Sequence, residues 1–518
     1  MQVIFVLSFL YGVVEIFRYV HMLQLSGYQA KEYFHWCKEH PAAVLPLSRI
    51  LMVLLVFLFT FVANGVSQQW WLIGYEIITI VFLLYSLVVA FPQKAKKPLV
   101  FTKRVWRFLI TYAIVYGVYL GAFGMANLLL ESFYWVFFFV FVPFLVFVVN
   151  GINLPIEKAI ANHFIKDAKR ILAEHKDLIV IGITGSYGKT STKNFLHDVL
   201  SAKYNTFMTP ASFNTTMGVV RAIRENLKPS HEVFICEMGA KGVGEIKEIC
   251  DIVHPQYGLI TSIGEQHLET FLSVDNIIKT KFELADAIPS DGFVCLNYDN
   301  EYIANHKVTN TRVVPYTVAG TGYHAENIQV SSSGNSFTFV EPSGEKTEFT
   351  TKLLGVHSIQ NIIGCLALAR ELGVPAQKMV YPVRLLKPVQ HRLELLPNGF
   401  IDDAFNSNPA GFRAALDVLK SFEGQRILVT PGMVELGERE AALNEELGAY
   451  AANCCDWAVL VGERQAPPLK KGLLKAGFDE QKIYVAKSLN DGLRFLNTLP
   501  MQGKRTVLLE NDLPDNYN

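Results

Sequence analysis

Five apolar runs before residue 155 constrain this chain more than any other feature. They cover 3–20, 50–66, 70–91, 106–130 and 133–154. Each is about long enough to cross a hydrocarbon core of roughly 30 Å as a helix, and in lipid only a helix or a closed barrel satisfies its own backbone polar groups. The first run lacks a charged leader and a small-residue cleavage site. It carries Glu15 and Arg18, three apart on one helical face where they can pair, so it reads as a membrane helix and not as a cleaved leader. Hydrophobic residues make up 51% of the 518 positions and charged residues 18%, and the apolar excess lies in this first third.

Charge between the runs sets an expected orientation. Lys31, Lys38 and Arg49 follow the first run, and Lys94, Lys96, Lys97, Lys103 and Arg104 lie between the third and fourth. The short connections at 67–69 and at Glu131 hold no Lys or Arg. The positive-inside rule then places both charged loops, and everything after residue 154, on the cytoplasmic side of a bacterial plasma membrane. Lys plus Arg and Asp plus Glu are 47 each, so no global field points to nucleic acid as a partner. The seven cysteines include no C-x-x-C and no paired His spacing, which fits free thiols in a reducing compartment.

From residue 155 the pattern changes. Residues 156–175 read as a basic surface helix with Lys158, Lys166, Lys169 and Arg170. A buried strand at 178–183 (LIVIGI), a glycine-rich turn at 184–190 (TGSYGKT) and a helix at 191–200 follow. Strand, turn and helix in that order form a phosphate cradle, because glycines let backbone N–H groups approach and the helix N-terminus adds positive potential. Lys189 is expected to reach the terminal phosphates and Thr190 to hold Mg²⁺. The spacing is the short G-x-x-G-K-T of Gly185, Gly188, Lys189 and Thr190, since Ile183 stands where the first glycine of the longer Walker pattern would be. Strands at 233–236 and 257–260 lead to Glu237 and His267, so a parallel sheet with ligands at its carboxyl ends is expected. Residues 312–352 read as a small antiparallel excursion, helical periodicity resumes over 358–372, and a second α/β unit begins near Phe400 with strands at 427–429, 458–461 and 506–509.

Several motifs occur in a fixed order between residues 184 and 438: TGSYGKTS (184–191), SFNTTMG (212–218), CEMGAKGVGEI (236–246), TSIGEQHLE (261–269), KFE (281–283), LNYDN (296–300), GVHSIQN (355–361), HRLE (391–394), DDAFNSNP (402–409) and GMVELGE (432–438). In this order the chain resembles the Mur ligase family, and within it the MurF type, which adds D-alanyl-D-alanine to a UDP-linked muramoyl-tripeptide. The apolar runs give a helical membrane domain (1–155), and the resemblance implies that α/β follows: a central P-loop ATPase domain (156–390) and a C-terminal Rossmann-like domain (391–518). It implies ATP and two Mg²⁺ ions, and an acid–amine ligase working through an acyl-phosphate.

On the same resemblance, Gly185, Ser186, Gly188, Lys189, Thr190 and Ser191 surround the phosphates, and Thr190, Glu237 and His267 hold metal. Lys189, His267 and Lys281 serve catalysis, with Lys281 carbamylated. Asn297, Asp299, His357 and Asn361 match the region for adenine and ribose, and Arg392 matches a phosphate-contacting arginine at the domain junction. Asp403, Asn406, Asn408 and Pro409 match the loop that helps hold the incoming amine.

Two stretches depart from the pattern. Apolar runs stand where the MurF type has a soluble UDP-gripping domain, and LLENDLPD (508–515) stands where that type has a Lys-Gly-Ser-Arg-like stretch. The expected acceptor is therefore a cell-envelope carboxylate, lipid-linked or membrane-bound, at the inner membrane face among membrane lipids, with an amino acid or dipeptide as the amine. The alternatives are MurF activity itself on the UDP-linked tripeptide, and a membrane ATPase subunit of an amidating complex.

Overall fold

The computed structural model describes residues 2–45, 97–123, 128–266, 268–405, 407–434, 436–500 and 503–512, with scattered positions between 47 and 88. Met1–Asn162 belongs to one compact unit and His163–Leu513 forms another.

The first unit is helical, with helices Gln2–Leu25, Ala30–Glu39, Pro41–Val44, Lys103–Phe123 and Leu128–Glu174. The described residues of the runs at 3–20, 106–130 and 133–154 fall on these helices, whereas 124–127 and the runs at 50–66 and 70–91 lie outside the described residues apart from isolated positions. The break expected at Pro155 is absent. Leu128–Glu174 continues through Pro143 and Pro155, so the separate surface helix expected from residue 156 is the end of this one. A proline removes one intrahelical bond and crowds the turn before it, but it does not by itself end a long helix.

Apolar side chains in this unit face outward as well as inward. Trp106, Ile110, Ile114 and Val118 form one i, i+4 face of their helix and are 55%, 58%, 62% and 68% exposed. Ile73, Ile77, Val81, Leu84 and Val88 are likewise exposed. Tyr19, Tyr33, Tyr112 and Tyr116 are buried instead. The helices Lys103–Phe123 and Leu128–Glu174 are tied by Arg107, which donates to both oxygens of Glu157 at 2.6 and 2.8 Å, and by Thr111 Oγ1 to Asn153 Oδ1 at 2.9 Å. Among the described residues, one stretch, Val142–Glu174, is long and apolar enough to cross a membrane by length and composition.

The second unit is α/β. Strands β1 (Ile179–Thr184), β2 (Thr206–Met208), β3 (Val233–Glu237), β4 (Tyr257–Ile260), β5 (Phe293–Asn297) and β6 (Arg312–Tyr316) form a parallel sheet in the order β2-β3-β1-β4-β5-β6. Both faces are covered by helices, which is why these strands read as unbroken apolar runs. Successive side chains of β1 go to opposite cores: Ile181 and Ile183 join one cluster and Val180 the other. The antiparallel excursion is β7 (His324–Ser331), β8 (Gly334–Val340) and β9 (Lys346–Thr351).

The last domain has its own sheet, in the order β10-β11-β15-β12-β13-β14. Its strands are β10 (Glu394–Leu395), β11 (Phe400–Asp403), β12 (Gln425–Thr430), β13 (Trp457–Val461), β14 (Ile483–Ala486) and β15 (Arg505–Glu510). β15, far along the chain, lies between β11 and β12 and pairs Asp403 with Glu510 in register. All seven cysteines are free, and all but Cys37 are buried.

Candidate active site

The strand order of the first sheet reverses at β1, and the functional side chains gather at the carboxyl end of that strand. After Thr184 the chain turns through 185–188 into the helix Lys189–Leu200. Two positions in the turn need glycine. Gly185 has φ 151° and a Cβ there would strike the Thr261 hydroxyl; Gly188 has φ 79° and a Cβ there would come within 2.8 Å of Asn361 Oδ1.

The loop is stitched to the segment after β4. Ser186 N–H donates to Ser262 O at 2.7 Å, Tyr187 N–H to Ser262 Oγ at 3.1 Å, and the Tyr187 hydroxyl to Glu265 O at 3.0 Å. These two amides therefore serve the protein itself. The amides that open the helix, from Gly188 to Thr190, are the ones set to meet an anion, because the first N–H groups of a helix have no intrahelical partner.

Lys189 folds back over this turn, and its Nζ donates to Gly185 O at 2.6 Å and Ser186 O at 3.0 Å. Burial pushes its ammonium down and Arg392 adds to that, while Glu237 opposes; the result is about 8. Glu237 ends β3 as the register neighbour of Ile183. Its Oε1 accepts from the Thr190 hydroxyl at 2.9 Å and from Asn214 Nδ2 at 3.0 Å, and its Oε2 faces Lys193 Nζ at 3.0 Å. Burial raises the Glu237 carboxyl, but Lys193, Asn214 and Lys189 outweigh it and keep the group ionised below the ordinary range.

Arg392 enters from the start of the last domain. Its Nη2 donates to Thr190 Oγ1 at 3.4 Å and its guanidinium lies 4.6 Å over the Phe405 ring. Thr190 thus joins a carboxylate of the first sheet to a cation of the other domain. A second bridge between the domains is the ion pair of Arg439 with Glu265.

Lys281 lies on the helix Val274–Ala287, 2% exposed, with its Nζ 5.9 Å from the Phe271 ring centre. Burial, then Lys189, push its ammonium well below the ordinary lysine range. At the end of β5, Asn297 Nδ2 donates to Thr261 O at 2.7 Å, and Gln360 Nε2 donates to Asp299 Oδ2 at 2.8 Å. Asp299 Oδ2 also accepts Val318 N–H at 2.7 Å. Burial lowers His357 to about 4, so its ring is neutral.

Two profiles match this chain: the Mur ligase middle domain over 183–369, and the Mur ligase glutamate ligase domain over 391–509. Residues 183–509 belong to the Mur ligase family. The UDP-N-acetylmuramoyl-tripeptide–D-alanyl-D-alanine ligase of Bacillus subtilis (strain 168) is 31% identical over 283 residues, 52% of this chain and 59% of its own length. The chain therefore spans less than two thirds of that relative. The ligase of the same name from Escherichia coli (strain K12) is 29% identical over 341 residues, 64% of this chain and 75% of its own. Among solved structures, MurF of Acinetobacter baumannii is 27% identical with a TM-score of 0.63, covering 68% of this chain and 77% of that one. MurF of Thermotoga maritima in complex with ADP, 24% identical with a TM-score of 0.62, shares the fold.

Within this Mur ligase core the expected residues fall into groups. Gly185, Ser186, Gly188, Lys189, Thr190, Glu237 and Arg392 come together. Asn361, expected with adenine and ribose, stands against Gly188 in the glycine-rich turn, whereas Asn297 and Asp299 cluster at β5. Asn408 Oδ1 accepts Gly411 N–H at 2.7 Å and caps the helix Pro409–Lys420, which Pro409 opens; both residues have a structural duty. His267 and Asn406 lie outside the described residues. Among the described residues no three His, Cys, Asp or Glu gather as a metal cage.

Sequence reasoning missed Lys193, Asn214 and Glu510. Lys193 follows Lys189 by one helical turn and Asn214 lies within the SFNTTMG motif, so spacing alone could have marked both.

Proposed function

We propose that this Mur ligase is an ATP-dependent enzyme of the MurF type, joining a carboxylate to an amine through an acyl-phosphate. The observation that carries this reading is the convergence of Lys189, Thr190 and Glu237 with Arg392 of the next domain. In the reaction the acceptor carboxylate attacks the γ-phosphate, giving an acyl-phosphate and ADP, and the amine then displaces phosphate to form the amide. Lys189 leaves its loop carbonyls to meet the charge gathering on the terminal phosphate, and Arg392 adds a second cation. Contacts that hold the two domains together exclude water from the intermediate.

The Thr190 hydroxyl and the Glu237 carboxylate are hard oxygen donors 2.9 Å apart, a pair that suits one Mg²⁺. When bound, such an ion neutralises phosphate charge.

Lys281 supports a second charge device. Only a neutral amine combines with CO₂, releasing a proton and leaving a carbamate, and burial favours the neutral amine here. Lys281→Ala should retain no more than about 1% of turnover, a loss of roughly 3 kcal/mol in transition-state stabilisation. Acetate or formate should restore part of it, and CO₂-free buffer should slow the unaltered enzyme. A fully active Lys281→Ala enzyme would make the position structural.

The substrates that the relatives' names supply are UDP-N-acetylmuramoyl-tripeptide and D-alanyl-D-alanine. With both present, the full chain in detergent should release ADP and form the amide, read by mass spectrometry. ATP hydrolysis indifferent to the dipeptide would sink the reading. A second reading has a lipid-linked or membrane-bound acceptor. It is favoured by the outward apolar face of Trp106, Ile110, Ile114 and Val118, which suits a lipid surrounding. Faster turnover on a lipid-linked acceptor in the same assay would select it.

From the same apolar face we infer that the first unit lies in a bacterial plasma membrane and that the ligase domains work in the cytoplasm. A reporter joined after Asn518 should be cytoplasmic and one at Glu131 external; an external Asn518 contradicts the ATP requirement.

A further inference from the structure

Arg392 stands on a turn held in an unusual backbone. His391 has φ 61° and Leu393 φ 48°, and neither is glycine. L side chains are disfavoured in that region, so a turn of this shape persists only where its surroundings fix it. Two consecutive carboxylates do the fixing. Asp402 Oδ2 accepts from His391 Nδ1 at 2.7 Å, and Asp403 Oδ1 accepts from Leu393 N–H at 3.1 Å. One holds each side of Arg392.

Asp403 is itself held. It lies beside Glu510 across the β11–β15 pairing, and burial raises both carboxyls. Glu510 Oε1 accepts from Ser407 Oγ at 2.6 Å, and Asn511 Oδ1 accepts from Ser407 N–H at 3.1 Å. Glu510 and Asn511, within the stretch that departs from the family pattern, thus back this turn.

We propose that Asp402 and Asp403 are positioning residues that lock both neighbours of Arg392 and so hold its guanidinium at the phosphate loop. This rests on the nucleotide-site reading above, and it gives Asp403 a duty other than contact with the incoming amine.

The test is the affinity of the full chain in detergent for the Mg²⁺ complex of adenylyl imidodiphosphate. Arg392→Ala should weaken it by about tenfold, the scale of one charged hydrogen bond. Asp403→Ala should weaken it comparably, and should add less than about twofold once Arg392 is already alanine, since the effect passes through that side chain. Asp403→Asn keeps an oxygen for Leu393 N–H and brings an amide able to donate to Glu510 beside it, so it should rescue binding to within about twofold of the unaltered chain.

The proposal is wrong if Asp403→Ala binds normally while Arg392→Ala does not, if the two losses add in full, or if Asp403→Asn binds no better than Asp403→Ala. Should Asp403→Ala fail to fold, Asp402→Ala decides, because its partner His391 is 46% exposed and its other acceptor bond is from Ala404 N–H at 3.2 Å; normal binding by that variant overturns the proposal. An unaltered chain that does not bind the analogue overturns the nucleotide-site reading itself, a result distinct from the others.

Discussion

Lys189→Ala should lower ATP-dependent turnover by about a thousandfold or more, the scale of losing a preorganised charge from a transition state, about 4 kcal/mol. Among the described residues no neighbouring cation is placed to take over its position in the turn. Lys193 is committed to Glu237 and to Ala211 O, at 3.0 and 2.5 Å. Arg392 is engaged at Thr190, and Lys281 is buried and driven toward the neutral amine. The fold should survive, because the carbonyls of Gly185 and Ser186 that Lys189 now serves can take water in its place. Single-turnover ADP release checks the loss, and thermal melting checks the fold. A variant that keeps a tenth of the activity would mean that another cation does the work.

Glu237→Ala should be the most destabilising single change at the site. It removes the counter-charge of Lys193 while leaving that ammonium in the interior, where the Lys193 and Glu237 side chains are 1% and 0% exposed. Breaking a buried pair on one side costs about 3–5 kcal/mol. For a domain of this size that is on the order of 10 °C in Tm. The double variant Lys193→Met with Glu237→Leu removes both charges, and should recover most of the stability while remaining inactive, because Thr190 then has no carboxylate beside it. Denaturant unfolding of the full chain separates the two roles. A loss below about 1 kcal/mol for Glu237→Ala would show that water reaches Lys193 and that the pair is not truly interior.

The parts of this fold that were legible in the sequence are those where burial and local chemistry speak together. β1 is apolar on both faces because helices cover both sides, and a glycine turn follows at once, so strand, loop and helix could be read within a residue or two. The continuation through Pro155 was not legible: a change of composition at a proline reads as a boundary, yet the helix Leu128–Glu174 runs through it. Lys193 carried a signal in its spacing, yet its partner emerges only when β1 and β3 pair Ile183 with Glu237. The backing of Arg392 was beyond reach for a stronger reason. Ser407 and Glu510 are 103 positions apart, and nothing local announces that β15 inserts between β11 and β12.

The buried thiols have a consequence for how this molecule can be watched. Cys236, Cys250, Cys295 and Cys365 lie in the middle domain and Cys454 and Cys455 in the last. Burial raises every one, Cys250 to about 12, Cys454 to about 11 and Cys455 to about 12. Alkylating reagents attack the thiolate, so the closed fold is almost silent toward them and reacts only through openings that bring a sulfur to solvent. Labelling rates at individual sulfurs then count those openings, four sites reporting on one domain and two on the next. The chain carries its own clocks for local unfolding, one set in each α/β domain.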